Sequence, residues 1–165
     1  MIFGRPGSGK STFSHKLHKQ TNLPLHHLDK HFFIKNWQER DKQEFLDIQQ
    51  SIVGQNAWII DGNSIKSLEM RFCRAEFVLH FNYPRWICYA RVFKRIFSKN
   101  AEIDDRAEGC REGVSSKLLQ YIWTYQQRVE ASIAYLKEKY PEVNFAEITS
   151  DQELQKFDAI FFDEE

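Results

Sequence analysis

Residues 4–11 read Gly4-Arg5-Pro6-Gly7-Ser8-Gly9-Lys10-Ser11, a G-x-x-x-x-G-K-S pattern. Each residue type at that spacing has its own task. Glycine lets the backbone turn tightly enough for successive amide N–H groups to converge on an anion. The Lys10 ammonium can reach β- and γ-phosphate oxygens, and the Ser11 hydroxyl suits Mg²⁺. A helix opening at Lys10 adds the positive end of its dipole. Gly4, Pro6, Gly7, Ser8, Gly9, Lys10, Ser11 and Thr12 are therefore the candidate phosphate-holding set, with Ser11 also a metal ligand.

Phosphate chemistry asks for carboxylates and cations nearby. Asp61 closes the apolar run Ala57-Trp58-Ile59-Ile60. That places it at the carboxyl end of a buried strand, where open parallel sheets bind ligands and where a magnesium-organising acid belongs. Asp29 ends the stretch Leu23-Pro24-Leu25-His26-His27-Leu28, which reads as a second strand. A carboxylate there can accept a proton from an acceptor hydroxyl. Arg91 and Arg95 lie four apart on one helical face, and residues 83–99 hold five basic side chains and no acid. Arginines so placed can neutralise a transferring phosphoryl group. Arg71 and Arg128 are further candidate arms. Lys10, Asp29, Arg91 and Arg95 form the catalytic expectation. The histidines at 15, 18, 26, 27 and 31 lack the geometry of a metal site and read as core and surface residues.

The elements that must position these residues alternate. Phe13 and Leu17 share a face of the helix after the loop. Only Met1-Ile2-Phe3 precede Gly4, so the first strand is short or its start is missing from the sequence. Phe45, Ile48 and Ile52 mark a helix over about 40–54. Phe77-Val78-Leu79-His80-Phe81 is a buried strand. The stripe Trp86, Ala90, Phe93, Phe97 predicts a helix from Pro84. Residues 98–113 lose the pattern and read as a short lid or mobile loop. Leu118, Ile122, Tyr125, Val129, Ile133 and Leu136 keep one face of a long helix ended by Pro141. Residues 143–148 form a last strand and 151–157 a short helix. Strands separated by helices imply a parallel sheet covered on both faces. Trp37 falls in an irregular segment beside the expected substrate path; the other three tryptophans read as core.

At 165 residues the chain fits one domain spanning 1–165, and 42% hydrophobic residues allow a sizeable core. Lys+Arg and Asp+Glu are 23 each, which disfavours a protein built to coat nucleic acid. No apolar run reaches membrane-spanning length, and no basic-then-apolar leader precedes the loop. Three widely spaced cysteines without a C-x-x-C pair suit reduced thiols. A cytoplasmic location is the expectation.

Several pieces in this order resemble one family, the adenylate-kinase-like P-loop proteins of the DNA topology modulation type. They are residues 4–12, His27-Leu28-Asp29, Trp58-Ile59-Ile60-Asp61-Gly62-Asn63, Tyr83-Pro84-Arg85-Trp86, residues 91–95, Ala107-Glu108-Gly109-Cys110 and Tyr121-Ile122-Trp123-Thr124-Tyr125. The resemblance runs to about residue 157. It implies a three-layer α/β fold with a five-stranded parallel sheet in the order 2-3-1-4-5. It also implies ATP and Mg²⁺ at the loop and a small-molecule acceptor nearby. Asp61-Gly62 matches an Asp-Gly of adenylate kinases, and Arg91 with Arg95 matches their arginine pair. The following Asn63-Ser64-Ile65 departs from the Asp-Gly-Phe-Pro-Arg run of true adenylate kinases, which counts against AMP as the acceptor without excluding a monophosphate. The function expected is a MgATP-dependent transfer of the γ-phosphate to a nucleoside, nucleotide or other small molecule. The alternative is a nucleotide-binding regulatory or DNA-associated protein with little turnover. Neither acceptor nor oligomeric state is written in the sequence.

Overall fold

The structure, a computed structural model, describes residues 1–97 and 114–162. The expected lid at 98–113 lies outside the described residues. In chain order the elements are β1 (Ile2–Gly4), α1 (Lys10–Thr21), β2 (Leu25–His27), α2 (Leu28–Phe32), α3 (Lys42–Val53), β3 (Ile59–Asp61), a 3-10 turn (Ile65–Ser67) leading into α4 (Leu68–Phe72), β4 (Phe77–Phe81), α5 (Arg85–Phe97), α6 (Ser116–Lys139), β5 (Asn144–Ile148) and α7 (Asp151–Phe162). The five strands are all parallel, in the order β2-β3-β1-β4-β5. This is the order the resemblance implies.

The period-two alternation of the strands divides the core between the two faces. Ile2, Leu79 and Phe81 pack with Phe13 of α1 and Cys88 and Val92 of α5. Phe3 and Val78 turn the other way, onto Leu68 and Phe72 of α4 and Tyr125 and Val129 of α6. Ile60 joins Phe45, Ile52 and Val53 of α3. The stripe expected on α6 is buried from Ile122 to Leu136. Its start is capped by Ser115, whose side chain accepts from the Leu118 amide at 3.1 Å.

Four expectations need correction, those for Asp29, for α5, for Trp123 and for Arg71. The second strand stops at His27, and Asp29 sits in the first turn of α2 instead of ending β2. The stripe read on α5 is on the wrong face. Trp86 is 71% exposed, and Ala90 and Phe93 are exposed as well, while Cys88 and Val92 face the core. Both faces of α5 carry apolar side chains, and the smaller ones fit where the helix crosses the loop after β1. Trp123 is exposed too, and the Arg85 guanidinium packs over its ring at 4.2 Å.

Arg71 is fully buried and does not reach towards substrate. Its guanidinium donates to the carbonyls of Gly62 at 3.1 Å and Ser64 at 2.6 Å, and its Nε to that of Ser67 at 3.4 Å. Burial pulls its pKa down to about 10, against the attraction of Asp61. It staples the turn that follows β3. Arg71→Ala should therefore cost about 3–5 kcal/mol, because three buried or part-buried carbonyls lose their donor and the Asp61 charge loses a nearby cation. Denaturant titration checks this; a loss under about 1 kcal/mol would contradict the stapling role.

Candidate active site

The loop of residues 4–11 leaves β1 and enters α1 on three glycines with positive φ: Gly4 at 152°, Gly7 at 79° and Gly9 at 98°. Space is as demanding as conformation. A Cβ on Gly4 would lie 2.3 Å from the Phe81 carbonyl oxygen, and one on Gly7 would lie 2.6 Å from that of Cys88. The loop is thus pressed between β4 and α5, and any side chain at these two positions would push it out. The first backbone bond closing α1 runs from Phe13 N to the Gly9 carbonyl at 3.0 Å. The amides of Lys10, Ser11 and Thr12 before it project from the helix end, where an anion is favoured.

The loop is held from three sides. Asn63, just past β3, donates to the Gly4 carbonyl at 2.6 Å and accepts from the Gly4 amide at 2.9 Å. Arg5 is buried beneath the loop and donates to the Tyr83 carbonyl. Arg91 donates to the Ser8 carbonyl at 2.9 Å and forms a two-pronged ion pair with Asp151 at 2.7 and 2.9 Å. The guanidinium holds the Asp151 carboxyl below the usual carboxylate range. It also lies over the Tyr83 ring at 4.6 Å. Lys10 turns back across the loop, its ammonium donating to the Arg5 carbonyl at 3.2 Å.

A cavity of about 530 Å³ opens beside the loop. Pro6, Gly7, Lys10, Ser11, Asp29, Asp61 and Arg95 all line it, so these sequence-predicted residues converge on one space. The other predicted loop residues do not line it: Gly4 is clamped by Asn63, Ser8 is buried, Gly9 precedes α1, and Thr12 is exposed in the first turn of that helix. Arg91 braces the loop from outside the cavity, so the pair Arg91 and Arg95 divides: the second lines the space and the first supports the loop. Arg128 lies along α6, its Nε donating to the Thr124 hydroxyl at 2.9 Å and its guanidinium over Tyr121 at 5.4 Å.

Asp61 is buried at the end of β3. One carboxylate oxygen meets His27 Nδ1 at 3.1 Å; the other is buried without a hydrogen-bond partner. The pairing follows from the sheet register, which sets His27 beside Asp61 on adjacent strands. His27 is thus part of the site and was missed. The signal was its place at the carboxyl end of β2, the ligand-binding edge. Asn63 was equally missed as a clamp, because its partner is 59 residues away. Trp37 does line the cavity. Tyr121 lines it from α6, with its hydroxyl pushed up to about 12, mainly by burial and further by the Asp29 charge.

No protein-family model and no curated protein sequence matches the chain. Among solved structures, it is similar to an unliganded sugar kinase from Janibacter sp. HTCC2649. The match has a TM-score of 0.54 and 16% identity, covering 98% of this chain and 92% of that one. This likeness is one of fold: an α/β architecture shared with a distant sequence. No described helix is long and apolar enough to cross a membrane.

Proposed function

We propose that this chain is an ATP-dependent phosphotransferase of the adenylate-kinase-like type, moving a γ-phosphate to a small acceptor. The observation that supports it most is the single cavity in which Lys10, Ser11, Asp61 and Asp29 meet. Loop amides and Lys10 hold the phosphates. Arg95 answers the charge on the transferring group. Asp29 takes the proton from an acceptor hydroxyl as that oxygen bonds to the γ-phosphorus and the bond to the ADP oxygen breaks.

The residues fit Mg²⁺. Asp61 presents a buried carboxylate oxygen without a partner, and Ser11 lines the same cavity. Among the described residues no cluster of three or more His, Cys, Asp or Glu could cage a metal by itself. That suits a cation held by one or two protein oxygens plus substrate phosphates. When bound, the metal would supply charge neutralisation to the phosphoryl oxygens.

The test is ADP release from ATP with Mg²⁺ across a panel of alcohols, nucleosides and nucleotides. Release that requires both metal and one acceptor is the expected result. Tight ATP binding with no acceptor-dependent release would favour the regulatory reading. That reading draws on the basic and aromatic surface of Arg85, Trp86 and Trp123, away from the cavity.

A further inference from the structure

The segment between α2 and α3 is a small hairpin built around a strained tip. Phe33 and Glu39 pair antiparallel, and the Gln38 amide closes a turn onto the Lys35 carbonyl at 2.9 Å. The two central residues, Asn36 and Trp37, have φ of 50° and 62°. Both positive is the signature of a tight hairpin turn whose second position favours glycine. Asparagine tolerates that region; a tryptophan there is a steric outlier. Trp37 is also 49% exposed, so burial in the core does not explain it. Backbone strain retained at an exposed, cavity-lining aromatic points to a ligand contact.

What the ring faces supports this. Trp37 meets Phe33 edge-on at 4.9 Å, Phe33 meets Phe32 at 4.8 Å, and Phe32 meets Phe45 at 5.1 Å. All four rings line the cavity, and Tyr121 and Leu118 line it from α6. Asp29, on α2 just before this cluster, lines the same space. Among the described lining residues the lysines and arginines are Lys10 and Arg95, which belong to the loop and to α5 beside it. The aromatic end therefore offers an apolar wall of edge-to-face rings and a carboxylate. An aromatic wall gives a planar ring a surface to stack on, and the carboxylate beside it can accept a hydroxyl proton.

We propose that the acceptor is a hydroxyl compound bearing a neutral aromatic ring, of the nucleoside class, and that Trp37 is its stacking surface. The proposal rests on reading the cavity as the transfer site. The ring stacks on Trp37, with Phe33 standing at 79° to the indole beside it, and the sugar hydroxyl is handed to Asp29.

The test compares adenosine, thymidine, ribose and AMP, in binding to the protein with a non-hydrolysable ATP analogue and in ADP release with ATP. Tryptophan fluorescence and calorimetry read binding. Adenosine or thymidine should bind at least tenfold more tightly than ribose or AMP and quench Trp37. Trp37→Gly should weaken nucleoside binding roughly 10- to 100-fold, the scale of one lost base–aromatic stack. It should also raise Tm by about 2–4 °C, since glycine accepts the turn conformation. Gain of stability with loss of acceptor is a result no structural role for Trp37 produces. Trp37→Phe should keep most of the affinity. Ribose or AMP binding as well as a nucleoside, no nucleoside binding, or unchanged nucleoside affinity in Trp37→Gly would each overturn the proposal. Nucleoside binding without ADP release from any acceptor would support the stacking site and reject the transferase reading. ADP release with ribose but not with nucleosides would do the reverse.

Discussion

Lys10→Ala is expected to lower ATP-dependent transfer by roughly 10²–10³, the scale of deleting one preorganised donor to developing charge. The fold should survive. Among the described residues the Lys10 ammonium makes one hydrogen bond, to the Arg5 carbonyl at 3.2 Å, and the residue is half-buried at a cavity wall. The loop does not depend on that bond, because Asn63 clamps it at Gly4 and Arg91 holds it at Ser8. Turnover of the best acceptor measures the first effect and thermal denaturation the second, where a shift of no more than a few degrees is expected. A variant that keeps full turnover would remove Lys10 from the reaction. One that unfolds would make it a structural residue. Lys10→Arg keeps the charge but replaces a flexible point cation by a planar fork, so it should recover ATP binding before it recovers rate.

The contrast between Lys10 and its supports shows what a linear sequence carries. Local spacing made the loop, its helix and the acid at the end of β3 legible, because each is set by neighbours within a few residues. The supports are not local. Asn63 reaches Gly4 across 59 positions, Arg91 reaches Asp151 across 60, and His27 meets Asp61 only once β2 and β3 are in register. Nothing in the spacing of those residues announces such pairs. The misread face of α5 has a different origin. Trp86 and Phe93 outweigh Cys88 and Val92 in hydrophobicity, yet the space beside Gly7 admits only small side chains: a Cβ at Gly7 would already touch Val92 at 2.8 Å. Close packing, not hydrophobic content, chose the buried face. Arg71 was read as an arm because it follows Asn63 on the loop after the third strand. Its burial depends on three carbonyls that only the turn after β3 brings together. Trp37 was recognisable as an oddity of position, but its positive φ is a property of the hairpin and has no sequence signature except the absence of glycine.

The displacement of Asp29 from the end of β2 into α2 sharpens its assignment. A carboxylate in the first turn of a helix is favoured by the helix dipole. On that helix it lines the cavity that Lys10 and Ser11 also line. Its charge is felt at the Tyr121 hydroxyl across the same space. A neutral alcohol acceptor must lose a proton as it attacks, and among the described lining residues Asp29 and Asp61 are the two carboxylates. Asp61 is buried and bonded to His27, and on the proposed reading it would organise the metal. Asp29 is exposed and lines the cavity, and on the proposed reading it is the group left to take the proton. Asp29→Asn keeps the shape and removes the base, so kcat with a hydroxyl acceptor should fall by ~10²–10⁴. ATP affinity, measured by calorimetry, should stay within about twofold of the parent, a difference below roughly 0.5 kcal/mol. Acceptor KM should change less than kcat, because an amide can still hydrogen-bond the hydroxyl it can no longer deprotonate. With a monophosphate acceptor, already anionic, the same substitution should leave kcat nearly unaltered. Near-normal kcat on a hydroxyl acceptor would strip Asp29 of the base role; a matching fall in ATP affinity would place it with the nucleotide instead.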